Sequence, residues 1–392
     1  MKVLAVPAAY EVSDTRGTEP SVSYYILSLL AKYFGVNYCA IVAFSNIVNP
    51  LPKNVSLIEV GESSRKFLTL SRLSFMLKYS NTAFNVLKQQ KFDLIHHILP
   101  SGSLINPVAI RIDEPFVIGP VLPPPTVSFA DDVTFLGGSK LEYHASRLIS
   151  GNRLTRWVLE DLRIRTLERA DAVIVVNNCA KRFVRNYVPE SRIKIIPLGV
   201  DLNEFKYSPP PCNYNILMAG YHTWKKGFIY MIKAMPKILK EFPGAELHII
   251  GDGPQRKSLE SLAKGMRLER NVIFHGFVPH SKVYGFMRLS RVLVLPSLSE
   301  AFGHVLTEAM AVGRPVVATT IAGPREIVDE EVDGFLVPPA DSDALADAVI
   351  KLFSNYELTV KMGLNARRKM ELKFDWVKVA KRYYEVYEEV SK

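Results

Sequence analysis

Short apolar runs alternate with longer stretches of helical periodicity along the whole chain, in two successive series. The runs of the first series are 2–7, 38–44, 93–98, 115–119, 172–177 and 193–197. Those of the second are 215–219, 246–251, 272–277, 292–296, 315–319 and 335–337. Most are apolar at successive positions rather than alternate ones, which suits strands buried on both faces of a parallel sheet. Helical stretches such as 227–242 and 255–267 separate them. The pattern predicts an α/β protein with two doubly wound domains, 1–205 and 214–373. Between them, 206–213 reads KYSPPPCN. Three consecutive prolines continue neither a helix nor a central strand, so this stretch is expected to be a stiff linker. The last segment, 374–392, carries Val377, Ala380, Tyr384 and Tyr387 at helical spacing and predicts a final helix.

Composition narrows the classes. With 48% hydrophobic and 22% charged residues, 392 residues can bury two sizeable cores and are not a disordered chain. Cys39, Cys179 and Cys212 stand far apart without metal-ligand spacing, which excludes a disulfide scaffold or structural zinc site and suits a reducing cytoplasm. No run of 18 apolar residues predicts a membrane span, and the start MKVLAVPAAY reads as a buried strand rather than a signal peptide. The net charge of +10 leaves an anionic substrate, an anionic membrane surface or nucleic acid as partners. Nucleic acid is the weakest of these, because no basic-aromatic motif or known module is present.

The richest stretch is 295–320, LPSLSEAFGHVLTEAMAVGRPVVATT. A strand ends near Pro296, a short loop leads to Glu300, and AFGH opens a helix that Gly313 and Pro315 close. Backbone N–H groups at Phe302, Gly303 and His304 would then be free to bind a phosphate. Glu300 lies before the helix and Glu308 more than one turn inside it. Carboxylates beside a phosphate site suit sugar hydroxyls, to which they accept strong hydrogen bonds. The plainer alternative is that Glu300 favours the helix dipole and Glu308 is solvated.

The Glu300-x7-Glu308 spacing followed by AMAVGRPVVAT resembles the retaining glycosyltransferases of family 4, which have the GT-B fold of two Rossmann-like domains facing a cleft. Segments 196–205 (IPLGVDLNEF), 251–254 (GDGP), 274–279 (FHGFVP) and 322–349 extend the likeness, and 92–102 and 115–120 carry it more loosely into the first half. The resemblance implies a transferase moving a hexose-type sugar from a nucleotide-sugar, UDP- or GDP-linked, to a glycan or lipid-linked acceptor. It implies no cofactor and no metal. Glu300 would meet the sugar hydroxyls and Glu308 the ribose. The backbone of Phe302, Gly303, His304, Val305 and Leu306 would meet sugar and diphosphate, Val278 the base, and Lys226 the leaving diphosphate. Gly17 is the one glycine in the loop after the first strand, where the family often has two. His97, nearer the strand end than His96, would face the sugar. The final helix would return to the first domain.

This sequence departs from the family at Tyr221, where an arginine usually shares the diphosphate with the lysine. Lys225 or His222 are the candidates to supply the missing charge. Rival readings are a nucleotide-sugar epimerase or hydrolase, and a non-catalytic nucleotide-sugar or polyanion binder. Finally, 63–91 holds six basic residues and no acidic one. Helical projection puts Phe67, Leu70, Leu73, Leu77 and Phe84 on a core face and Arg65, Leu68, Arg72, Phe75 and Tyr79 opposite. That second face predicts peripheral contact with an anionic bilayer.

Overall fold

The computed structural model describes residues 1–14, 18–61, 69–98, 105–123 and 153–392. The chain forms two compact units, Met1–Leu198 with Val377–Lys392, and Gly199–Trp376. The division falls ahead of the prolines. The triple-proline stretch lies inside the second unit, where Tyr356 Oη donates to the Pro210 carbonyl at 2.7 Å.

In the first unit the order is β1 (Lys2–Ser13), α1 (Thr18–Phe34), β2 (Asn37–Asn46), β3 (Val55–Glu59), α2 (Thr69–Gln89), β4 (Leu94–His97), β5 (Phe116–Val121), α3 (Arg153–Arg169), β6 (Ala172–Val175), α4 (Asn178–Val184) and β7 (Ile193–Ile195). Its seven strands run β3-β2-β1-β4-β5-β6-β7, each paired parallel to the next. The sequence reading anticipates every strand except β3. That strand is an edge, partly exposed throughout, and so carries no continuous apolar run.

The second unit contains β8 (Asn215–Ala219), α5 (Phe228–Glu241), β9 (Glu246–Ile250), α6 (Arg256–Gly265), β10 (Val272–Gly276), α7 (His280–Leu289), β11 (Val292–Leu295), α8 (His304–Val312), β12 (Val316–Thr319), α9 (Pro324–Ile327), β13 (Gly334–Val337), α10 (Ser342–Ser354) and α11 (Tyr356–Lys369). Its parallel sheet runs β10-β9-β8-β11-β12-β13. The core gathers Ile216, Met218, Met231, Met235, Leu247, Val294, Leu345 and Val349, all 1% exposed or less. In both sheets the winding reverses between two strands that are neighbours in space but not in sequence, β1/β4 and β8/β11. Open α/β sheets place ligand crevices outside the carboxyl ends of strands at such switch points.

The last helix, α12 (Trp376–Val390), has Val379, Ala380, Tyr383, Val386 and Tyr387 buried, whereas Val377 is 38% exposed. The buried stripe is thus phased slightly away from the one expected. Tyr384 stacks on Phe34 with centroids 4.9 Å apart, and Lys194 pairs with Glu389 at 2.7 Å, all within the first unit.

One helical face is corrected. Tyr79, expected on the outer face of α2, is 3% exposed and lies in the core with Ala83 and Val86. Leu77, expected inward, is 58% exposed. The side chain at 79 turns inward because its hydroxyl reaches the Ile105 carbonyl at 3.3 Å while its ring fills the core. Arg65 and Leu68 lie outside the described residues.

Candidate active site

The second unit's switch point joins two loops. After β8 the chain turns through Gly220–Thr223 into a short turn, Trp224–Lys226, and reaches left-handed backbone at Gly227, φ 64°. Only glycine fits there, since a Cβ would stand 1.9 Å from the Pro296 carbonyl oxygen of the loop after β11. The Lys225 carbonyl accepts from Leu298 N at 2.7 Å and Ser299 N at 3.3 Å. These backbone ties set Lys226 beside Glu300, Nζ to Oε2 2.5 Å, with side-chain exposures of 27% and 14%. Lys226 is therefore not a solvated surface lysine, and Glu300 does more than favour a helix dipole.

Glu300 leads into α8 through Gly303, φ 102°. The first intrahelical bond is Leu306 N–H to the Gly303 carbonyl, 2.9 Å, so helix geometry leaves the preceding N–H groups at His304 and Val305 without intrahelical acceptors. Phe302 is 4% exposed and Leu306 fully buried, so these two residues can offer a ligand only backbone. His304 Nε2 is buried without a partner. Burial first, and then the nearby His280 and Lys226 charges, push its pKa down to about 3, so His304 is neutral.

Glu308, one turn into α8, accepts from His280 Nε2 at 3.0 Å. The other nitrogen, Nδ1, meets Glu204 at 3.2 Å. Both hydrogen bonds favour the imidazolium and lift its pKa to about 10. Phe205 packs against this ring, centroids 5.6 Å apart and planes at 71°. Sequence reasoning missed His280 and Glu204. His280 stands two residues after the expected base contact Val278, which is half-buried in the loop between β10 and α7.

The arginine-equivalent Tyr221 is 46% exposed. His222 does not replace the missing charge. It is fully buried against Phe228, its ring nitrogens have no side-chain hydrogen bond, and burial lowers its pKa. Lys225 remains, half-buried beside Lys226.

At the first unit's switch point, β4 ends in two histidines on opposite faces. His96 is a satisfied core residue, Nε2 on the Gly119 carbonyl at 2.9 Å and Nδ1 on the Tyr387 hydroxyl at 2.5 Å. Since the carbonyl can only accept, Nε2 carries the proton and Nδ1 accepts from Tyr387. His97 is 1% exposed with both ring nitrogens unpartnered, and burial pushes its pKa down to about 3. An unpaired buried imidazole at a strand's carboxyl end is the stronger candidate of the two. Gly17 lies outside the described residues.

Two family models divide the chain. The one described as Glycosyltransferase Family 4 matches residues 30–204, and the one described as Glycosyl transferases group 1 matches 201–369. An uncharacterized glycosyltransferase of Methanocaldococcus jannaschii is 33% identical over 231 residues, 55% of this chain and 59% of that relative's length. The phosphatidyl-myo-inositol mannosyltransferase of Mycobacterium leprae is 28% identical over 361 residues, 88% of each chain. Among solved structures, sucrose-phosphate synthase from Thermosynechococcus elongatus aligns with a TM-score of 0.73 at 21% identity, covering 99% of this chain and 98% of its own. WaaG, a glycosyltransferase involved in lipopolysaccharide biosynthesis, aligns at 0.69 and 19%, covering 99% of each. Anabaena HepE, solved with UDP-glucose, aligns at 0.67 and 19%, covering 99% of this chain and 100% of its own. At these identities the structural likeness is one of fold.

Proposed function

The chain belongs to glycosyltransferase family 4 and has the GT-B fold, and from that premise we propose that it transfers a hexose-type sugar from a nucleotide-sugar to a glycan or lipid-linked acceptor, with retention and without a metal. The observation that carries this reading is the Lys226–Glu300 pair at the mouth of α8. A cation, a carboxylate and helix N–H groups together suit a sugar diphosphate: Lys226 and the N–H groups for the phosphates, Glu300 for the sugar hydroxyls. Glu308 would take the ribose and Val278 the base. The UDP-glucose of the HepE structure supports a uridine donor.

In the step proposed, the bond from the anomeric carbon to the phosphate oxygen breaks. The acceptor hydroxyl attacks on the same face, and its proton passes to the departing phosphate oxygen. Negative charge grows on that oxygen, where Lys226 would stabilise it. Glu300 would orient the sugar rather than attack it, since its carboxylate is held by Lys226. His97 would contact the sugar from the first unit. A lipid-linked acceptor is supported by the M. leprae relative, whose name places its activity on phosphatidyl-myo-inositol. Among the described residues no helix is long and apolar enough to cross a membrane. Peripheral contact through the basic stretch 63–91 would bring the enzyme to such an acceptor.

The relatives are named as transferases, which disfavours the epimerase, hydrolase and binder readings. A thermal-shift panel of UDP-, GDP- and ADP-sugars, repeated with EDTA, tests the donor. The expected result is stabilisation by one base class, unchanged by EDTA. No stabilisation by any nucleotide-sugar would overturn the reading.

A further inference from the structure

We infer that His280 is a positioning residue of the donor site, bridging Glu204 and Glu308 so that the Glu308 carboxylate stands ready for the vicinal hydroxyls of a ribose. The inference rests on the reading of this site as a nucleotide-sugar site, and it assigns His280 and Glu204 a part in it. A carboxylate can only accept a hydrogen bond from a ring N–H, and each imidazole nitrogen faces a carboxylate, Nε2 to Glu308 at 3.0 Å and Nδ1 to Glu204 at 3.2 Å. Both nitrogens must donate for both contacts to be made, so the ring is an imidazolium. The upward shift of its pKa has the same cause. His304, held neutral by burial, is near enough to feel the His280 charge.

Three consequences follow. First, a flexible glutamate is anchored before any ligand arrives. Oε1 of Glu308 is taken by His280, and among the described residues Oε2 meets no hydrogen-bond partner, leaving it for a hydroxyl. Anchoring a side chain in its bound geometry removes an ordering cost from binding. Secondly, the pair offsets charge. A diphosphate would be repelled by bare Glu300 and Glu308. Instead each of these carboxylates meets the ligand already paired with a cation, Lys226 for one and His280 for the other. Thirdly, the imidazolium is itself held in place. It opens α7, Phe205 packs against its ring, and Glu204 grips its far nitrogen. Neutral replacements at 280 would keep the fold of α7 but release Glu308.

The test is calorimetric binding of UDP and GDP, each against its 2′,3′-dideoxy counterpart, to wild type, His280→Ala and His280→Gln. Wild type is expected to prefer the ribonucleotide by about tenfold or more, the worth of a hydrogen bond to a charged group. His280→Ala should lose most of that preference by weakening the ribonucleotide while leaving the dideoxynucleotide within about twofold. Its donor KM should rise more than its kcat falls. His280→Gln keeps a donor toward Glu308 without the charge and should retain part of the preference, and it reads the same question if the alanine variant does not fold. A merely structural role would weaken both nucleotides alike. If wild type discriminates and both variants discriminate as strongly, the inference fails alone. If wild type binds ribo- and dideoxynucleotides equally, the ribose assignment of Glu308 fails and takes the inference with it.

Discussion

The two switch points of this chain are built alike and furnished differently. At the end of β8 and β11 the second unit gathers charges that are already paired, Lys226 with Glu300 and His280 with Glu204 and Glu308. At the end of β4 the first unit offers neutral imidazoles, one satisfied by Gly119 and Tyr387 and one unpartnered. The contrast is that of a cation and carboxylates held in pairs against neutral imidazoles, one of them unpartnered. It teaches that one topology fixes where a site lies, while the loops behind the strands decide what chemistry it can hold.

The sharpest way to break the comparison is to strip each region and follow donor binding and transfer separately. Glu300→Ala should lower transfer by about 10–100-fold, the range for losing a hydrogen bond to a charged group. His97→Ala should also lower transfer, yet leave nucleotide affinity within about twofold, since the contacts to diphosphate, ribose and base are assigned to the second unit. Loss of nucleotide binding in the His97 variant, or full transfer in the Glu300 variant, would erase the proposed division of labour. The phosphate clamp gives the next effect. Lys226→Ala should harm transfer more than Lys225→Ala, and Tyr221→Arg should leave activity equal or higher. Initial rates with the true donor decide it, and the reverse order of the lysines would reassign the clamp.

The two regions should also respond to pH with opposite sign. His280 has a folded pKa of about 10 against an ordinary 6.5. Its contribution to stability is complete below pH 6.5 and is lost as pH rises through 10. His96 and His97 are pushed down to about 3, so the stability tied to their neutral forms is present above 6.5 and lost as pH falls toward 3. The melting-temperature gap between wild type and His280→Gln should shrink from pH 6 to pH 10. A gap that stays constant would remove the charge from His280. The smallest effect concerns the membrane. Co-sedimentation with anionic vesicles should weaken with salt and with Arg65→Glu plus Arg72→Glu, each basic residue being worth about 1 kcal/mol near such a surface. Equal binding to neutral vesicles would count against peripheral contact.

What could be read from the sequence follows from range. Twelve apolar runs announce buried strands because burial on both faces demands apolar residues in succession, whereas edge strand β3 carries no such demand. Glu300, Gly303 and Glu308 are legible because they share one loop and one helix, so their spacing states their geometry. The phase of α2 is not legible at Tyr79, because a buried tyrosine with a reachable carbonyl looks, in projection, like an amphipathic surface residue. Nor did any local signal mark His280. Its partners lie 28 residues ahead, at Glu308, and in the segment that opens the second unit, at Glu204. Spacing along the chain determined the buried strands, the glycine-led helix and the spacing of the two glutamates by itself, because apolar runs and helix ends depend on neighbours within a few residues. Which charges meet across loops, which of two adjacent histidines is satisfied, and whether His222 could serve as a cation were decided only by tertiary packing. Burial and hydrogen-bond partners set protonation, and those partners come from distant parts of the chain.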